Sequence, residues 1–327
     1  MRWWKDRAGR WGAALLLLIL LLGVGAPFLA PYDPRVQDRS SFYHPPSLPS
    51  EECRTKWLAV DDTGRRHLFG FDGCRVYFLG TDALGRDVLS RSLYGARWSV
   101  STAALGVTFA VAFGTFVGAM AGFIGGLTDR FLMRMAELTM ALPALYLVLA
   151  VRKLFPDDLT PGQASLIMVG SLATVGWCSV SRLLRGRVLS LREQDYVSSA
   201  VALGATRARL LFRHILPNAV PFILLQVGIT LPYFLLGEAT LSYLGLGVPE
   251  PASSWGKMLS DAANNYTAMT TYWWTLMVPG VALTLAVLAA NLWVEGLRRT
   301  YLGSEGPWAS SSPAWGWGSK HRRQRAS

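Results

Sequence analysis

Ser99 to Ile124 reads SVSTAALGVTFAVAFGTFVGAMAGFI, 26 residues without one ionisable side chain. A helix of about 20 such residues crosses the hydrocarbon core of a bilayer. Lipid offers no hydrogen-bond partner to a backbone, so a run of this kind must be helical to satisfy its own N–H and C=O groups. Comparable runs flank it on both sides. The 327-residue chain is 51% hydrophobic and 16% charged, too apolar for an ordinary soluble domain.

Spans are expected near Ala13 to Ala30, Ser99 to Ile124, Ala136 to Val151, Ala164 to Ser181, Pro217 to Leu241 and Trp274 to Val294. The third is the least apolar, because Arg134 and Glu137 stand at its start, and its helix is expected to begin in water near Thr128. Pro143 and Pro232 are candidate helix breakers. The fold class is therefore an all-α membrane protein with six transmembrane helices and a large extracytoplasmic loop after helix 1.

Lys and Arg accumulate on the cytoplasmic side of membrane proteins. With both termini inside, the inner segments hold 19 of the 32 Lys and Arg residues, and the 13 on outer segments are offset by 13 acids. The net charge of +11 thus follows from topology and is no nucleic-acid footprint. The expected organisation is a cytoplasmic start (1–12), an anchor (13–30), an extracytoplasmic loop (31–97), a core (98–299) with an inner loop at 182–216, and a disordered basic tail (300–327). A cleaved signal peptide is the competing reading of the basic start and leucine run, but the apolar stretch outlasts a typical signal core.

The outer loop contains Pro45, Pro46 and Pro49, and Arg75 to Leu79 alternates like a strand, so a small hairpin is expected there. Cys53 and Cys74 both fall in this loop, in an oxidising compartment, and are candidates for a disulfide, with two independent thiols as the alternative. Cys178 lies within a span and reads as a small packing residue.

The loop from Arg182 to His214 holds seven arginines and two acids. Tyr196, Val197, Ala200 and Leu203 follow helical spacing, Gly204 interrupts, and Leu210, Leu211 and Ile215 resume. Two short helices with a glycine bend, closed by Pro217, are expected. Composition alone also allows a basic helix lying on lipid headgroups.

Tyr196-Val197-Ser198-Ser199-Ala200, then Ala202-Leu203-Gly204-Ala205 and Arg213-His214-Ile215-Leu216-Pro217-Asn218, resembles the EAA loop of ATP-binding-cassette importer permeases. The resemblance implies a coupling helix that docks on an ATPase subunit, carried by Tyr196, Ser198, Ser199, Ala200, Leu203, Gly204, Ala205, Arg213, Leu216 and Pro217. Ser198 and Ser199 depart from the family pattern, standing where it has an acid and an alanine; a salt bridge made by that acid is absent here or is supplied by Glu193 or Asp195. Leu79 to Arg91 (LGTDALGRDVLSR) with Tyr94 to Arg97, and Glu238 to Val248 with Ser254 to Leu259, look like segments of the dipeptide, oligopeptide and nickel permease group. That group implies the type I importer fold, a second homologous permease subunit, cytoplasmic ATPase subunits binding ATP and Mg, a solute-binding protein, and the cell inner membrane as location.

Thr81 or Asp82 is read as the cap of a helix at the outer interface, and Asp87 and Arg91, four apart, can pair. A carboxylate in or near a span is costly and faces a cavity or a partner. Glu238, with Trp255, is therefore a candidate for the pathway or outer gate, or else holds the outer segment. No phosphate-loop motif occurs, and His44, His67, His214 and His321 show no metal spacing, so the chain reads as no enzyme, with no metal or cofactor of its own. The alternative function, an ion-coupled secondary transporter, calls for charges at mid-span; apart from Glu238 near one end, the spans hold no central ionisable residue. A membrane-anchored receptor is a third reading, disfavoured by six spans and an organised inner loop.

Overall fold

The computed structural model describes residues 6–49, 54–60, 66–72, 75–156, 159–264 and 270–302. Its helices are α1 (Arg7–Val24), α2 (Ala26–Leu29), α3 (Val88–Ile124), α4 (Gly126–Ala141), α5 (Ala144–Lys153), α6 (Pro161–Arg192), α7 (Asp195–Ala202), α8 (Arg207–Arg209), α9 (Leu216–Tyr243), α10 (Trp255–Ala263) and α11 (Trp274–Leu302). Among the described residues a single hairpin, β1 (Arg54–Val60) with β2 (Arg66–Asp72), pairs antiparallel with Trp57 opposite Phe69. It lies in the expected loop but upstream of the expected run: Arg75 to Leu79 is irregular, held by bonds from Val76 N to the Tyr32 hydroxyl (2.9 Å) and from Tyr77 N to Ser47 Oγ (3.1 Å).

Among the described residues five stretches are long and apolar enough to cross a membrane, and the bent pair α4–α5 makes a sixth if counted as one. That pair corrects the third expected span. Leu142 is extended, as a residue before proline prefers, and the two helices meet at 91°. Pro232 behaves differently: α9 continues through it and Pro221. Helix ends also lie outside the expected limits. The first helix starts at Arg7, capped by Asp6, which accepts from Gly9 N at 3.0 Å, and α11 continues to Leu302.

Small residues set the packing. Gly106, Ala110, Gly114, Gly118 and Gly122 form a buried stripe at every fourth position of α3. Across it, a Cβ at Gly118 would stand 2.4 Å from Ser181 O, and one at Gly114 would stand 2.8 Å from Trp177 O, so the backbones of α3 and α6 touch. The Phe234 ring of α9 fills the space left by Gly106 and Gly176. Helix α1 docks on α11 the same way, with Gly12 against the backbone of Trp293. The apolar core runs from Val88 and Ala103 through Phe234 and Leu235 to Trp255 and Ala286.

Candidate coupling loop, groove and outer cap

Between α6 and α9 the chain makes a short helix and a sharp turn. Val197 and Ala200 of α7 are buried against Leu184, Val188 and Leu191 of α6 and against Leu210, Leu211 and Ile215. Gly204 ends the helix at φ +77. There Gly204 N donates to Val201 O (2.9 Å) and Ala205 N to Ala200 O (3.0 Å), a Schellman closure that needs a left-handed residue. A Cβ at Gly204 would meet nothing within 4 Å, so conformation, not crowding, requires the glycine.

With Val197 and Ala200 anchored inward, the opposite face is presented to the surroundings. Leu203 is 88% exposed, and Tyr196, Val201 and Phe212 are also exposed. Ser198 and Ser199 turn their hydroxyls back on Asp195 O, each at 2.8 Å. Neither Glu193 nor Asp195 forms an ion pair among the described residues. Beside α7 lies a cleft of about 530 Å³ lined by Phe123, Arg192, Ser198, Ala205 and Arg207.

Pro217 does not close this loop. It occupies the first turn of α9, where a missing N–H costs least. The preceding turn, Leu210–Ile215, is a π-helix in which Leu216 N reaches back to Leu211 O. The wide turn makes room for the proline ring, and Asn218 Nδ2 satisfies His214 O at 2.6 Å. Arg213 is exposed on this turn, while Leu216 packs against the α7 cluster.

A groove of about 790 Å³ opens between the α4–α5 pair, α6 and α9. Its walls carry Leu142, Leu145, Leu172 and Phe234 among uncharged polar groups, Thr139, Ser179, Gln226, Thr230 and Tyr233. Glu238 and Trp255 do not reach it. Both are buried between α3, α9 and α10: Ser242 Oγ donates to Glu238 Oε1 at 2.7 Å, and the Trp255 indole donates to Ser92 O at 3.0 Å while lying on Gly95. Of the two readings of Glu238, the geometry favours holding the α10 segment.

At the α10 end the caps are rearranged from expectation. Asp87, not Thr81 or Asp82, caps α3, accepting from Ser90 N (2.8 Å) and Ser90 Oγ (2.6 Å). It does not pair with Arg91, whose guanidinium goes to Asp82, to Asp261 (3.0 Å) and to Ser253 Oγ (3.0 Å). Arg86 joins the same cluster through Asp82 (2.7 Å) and Glu250 (3.0 Å). Burial pushes Asp82 up, yet Arg91 and Arg86 together hold it below the usual carboxylate range. For Asp87 burial wins over the Ser90 bonds and pushes it up to about 6. No sequence signal short of a contact map joins residues 82, 91, 250 and 261.

The sequence profile described as "Binding-protein-dependent transport system inner membrane component" matches residues 114–301, which contain α7, the π turn and the groove. The chain belongs to this family. A second profile, the N-terminal transmembrane domain of oligopeptide transport permease C, matches residues 1–46. Among the family's curated members, the oligopeptide transport system permease protein OppC of Bacillus subtilis (strain 168) is 33% identical over 303 residues, covering 90% of this chain and 88% of that protein. The dipeptide transport system permease protein DppC of Haemophilus influenzae is 33% identical over 294 residues, 90% of each chain. A solved methionine ABC transporter, MetNI, in inward-facing conformations, aligns at TM-score 0.43 and 16% identity over 61% of this chain and 94% of that one. The protein is thus a multi-span permease subunit of a binding-protein-dependent transport system, all-helical apart from its hairpin. Cys53 and Cys74 lie outside the described residues, as does the tail from 303. Cys178 is buried on α6.

Proposed function

We propose that this permease passes peptides, or similar small solutes, through the groove between the α4–α5 pair, α6 and α9, driven by ATP hydrolysed in separate cytoplasmic subunits. The single observation that carries the reading is α7. Its buried face ties it to the core and leaves Tyr196 exposed, and its Schellman turn leaves Leu203 exposed at the tip, as a docking helix requires. In this reading both termini and α7 face the cytoplasm, and ATP and Mg belong to the ATPase partner. A homologous second permease completes the path, of which this groove is one side. A solute-binding protein delivers the cargo at the α10 end. The names of the OppC and DppC relatives support peptide cargo. The groove's uncharged polar lining supports it too, since hydroxyls and an amide meet a peptide backbone without selecting side-chain charge.

Gly204→Val tests the coupling. A β-branched residue is strained at φ +77, so the turn reshapes while the apolar spans, and membrane insertion, stay intact. Uptake and substrate-stimulated ATPase activity of the reconstituted complex are expected to be lost together. Full uptake by that variant refutes the assignment.

A further inference from the structure

The α4–α5 pair forms one wall of the groove, through Thr139, Leu142, Leu145 and Val148. Both ends of α4 are joints. At one, Gly125 and Gly126 adopt φ +72 and +61 with open space around each Cβ position, so backbone conformation alone calls for glycine. At the other, the chain turns through 91° at Leu142–Pro143. Between the joints α4 has little packing to hold it: Ala136 is its one buried residue.

A bidentate ion pair ties α4 to α6, beside the weaker contact of Arg182 Nη1 with Met140 Sδ (3.6 Å) and the packing of Val148 of α5 on Met168 and Leu241. Arg185 of α6 donates from Nε to Asp129 Oδ1 at 2.5 Å and from Nη2 to Oδ2 at 2.6 Å. Asp129 sits in the first turn of α4, where a carboxylate also meets the positive end of the helix. Its partner stands on firm ground. The Arg185 backbone is packed on the glycine stripe of α3, 2.9 Å from a Cβ built at Gly122. Two turns further along α6, Arg192 Nη1 donates to Phe123 O at 3.2 Å, and α7 follows directly. The side chains are 35% and 17% exposed, so water screens the pair only in part.

We propose that Arg185 and Asp129 are positioning residues, a latch that makes the α4–α5 wall follow α6 and so carries movement of α7 into the groove. The inference rests on the coupling role proposed above for α7. A jointed wall needs a directional tether to move as a unit, and a bidentate guanidinium–carboxylate pair fixes orientation as well as distance.

The test uses the full complex in lipid nanodiscs, with Cys53, Cys74 and Cys178 replaced by Ala. Spin labels at Leu142→Cys and Thr230→Cys, both on the groove, report its width before and after trapping with ATP and vanadate; a separate Ser199→Cys chain reports docking by cross-linking. In Asp129→Asn and Arg185→Gln the cross-link is expected to persist and ATPase activity to stay within about twofold. The ATP-dependent shift in groove width is lost and uptake falls about tenfold or more, within the usual range of coupling between sites. The exchange Asp129→Arg with Arg185→Asp restores the width change. A wild-type width change in Asp129→Asn overturns the proposal. So does loss of the cross-link in that variant, since the pair would then be holding the loop itself. If the parent chain never cross-links, the coupling reading fails first and the latch falls with it.

Discussion

Asp82→Asn removes one charge at the α10 end. Asp82 is 6% exposed, Arg86 7% and Arg91 3%, so three formal charges share a site nearly closed to water. Asp82 Oδ1 also accepts from Leu84 N at 2.8 Å and Arg86 N at 3.0 Å. An asparagine oxygen can keep both bonds, but its amide NH2 stands where Oδ2 accepts from Arg86 Nε and Arg91, so those two bonds are lost together with the charge. Two buried guanidiniums then retain only Glu250, 49% exposed, and Asp261, 26% exposed. Breaking a buried pair by removing one partner costs about 3–5 kcal/mol. For a chain of this size that lowers the melting temperature on the order of 10 °C. The carboxyl is held below its unfolded value, so its stabilisation is present above about pH 4 and is lost as pH falls through the folded value. Intrinsic tryptophan fluorescence of the detergent-solubilised chain reads the transition. The deficit is expected at pH 7 and is expected to shrink as the wild type is acidified. Asp82→Asn with Arg91→Met should melt higher than Asp82→Asn alone, because the stranded cation is gone. A melting temperature within about 2 °C of wild type for the single variant refutes the reasoning.

The opposite sign holds at Asp87, where burial pushes the carboxyl up to about 6. Its ionisation opposes folding as pH rises from about 4 to about 6 and by a constant amount above, so Asp87→Asn, which can still cap Ser90, should melt higher than wild type at pH 8 by the equivalent of about 3 kcal/mol at most, with no gain at pH 3.5. Gly12→Leu places side-chain atoms where a Cβ alone would stand 2.3 Å from Trp293 N; α1 should separate from α11, and a protease site engineered after Ala30 should then release the N-terminal fragment from the solubilised core. Alkylation of the unreduced protein, read by mass, should leave Cys53 and Cys74 unmodified if they are bonded, with one added label at each if they are separate thiols.

Much of this architecture was legible in the chain. A charge-free run of spanning length can be little else in lipid, Pro143 breaks the least apolar span, and Gly204 bends the loop because its left-handed φ requires it. What stayed hidden has a common cause. Helix α3 extends past Arg97 and Arg91 to Val88, with Asp87 as its cap. Those charges read as loop because the groups that neutralise Arg91, Asp82 and Asp261, lie outside the helix and, for Asp261, 170 residues away. Asp129 and Arg185, 56 residues apart, are equally invisible to local pattern. Pro217 was legible but ambiguous, since proline both ends helices and starts them. The every-fourth stripe from Gly106 to Gly122 is a sequence signal for α3–α6 contact that hydropathy overlooks.

The central claim is that α7 meets a separate ATP-hydrolysing protein. Leu203→Cys, at the tip of that helix and 88% exposed in the wild type, should form a cross-link to a nucleotide-hydrolysing subunit in native membranes, whereas Phe116→Cys, on the apolar surface of α3, should not. Cross-links from Leu203→Cys to lipid or to no protein at all, in membranes competent for uptake, would contradict it.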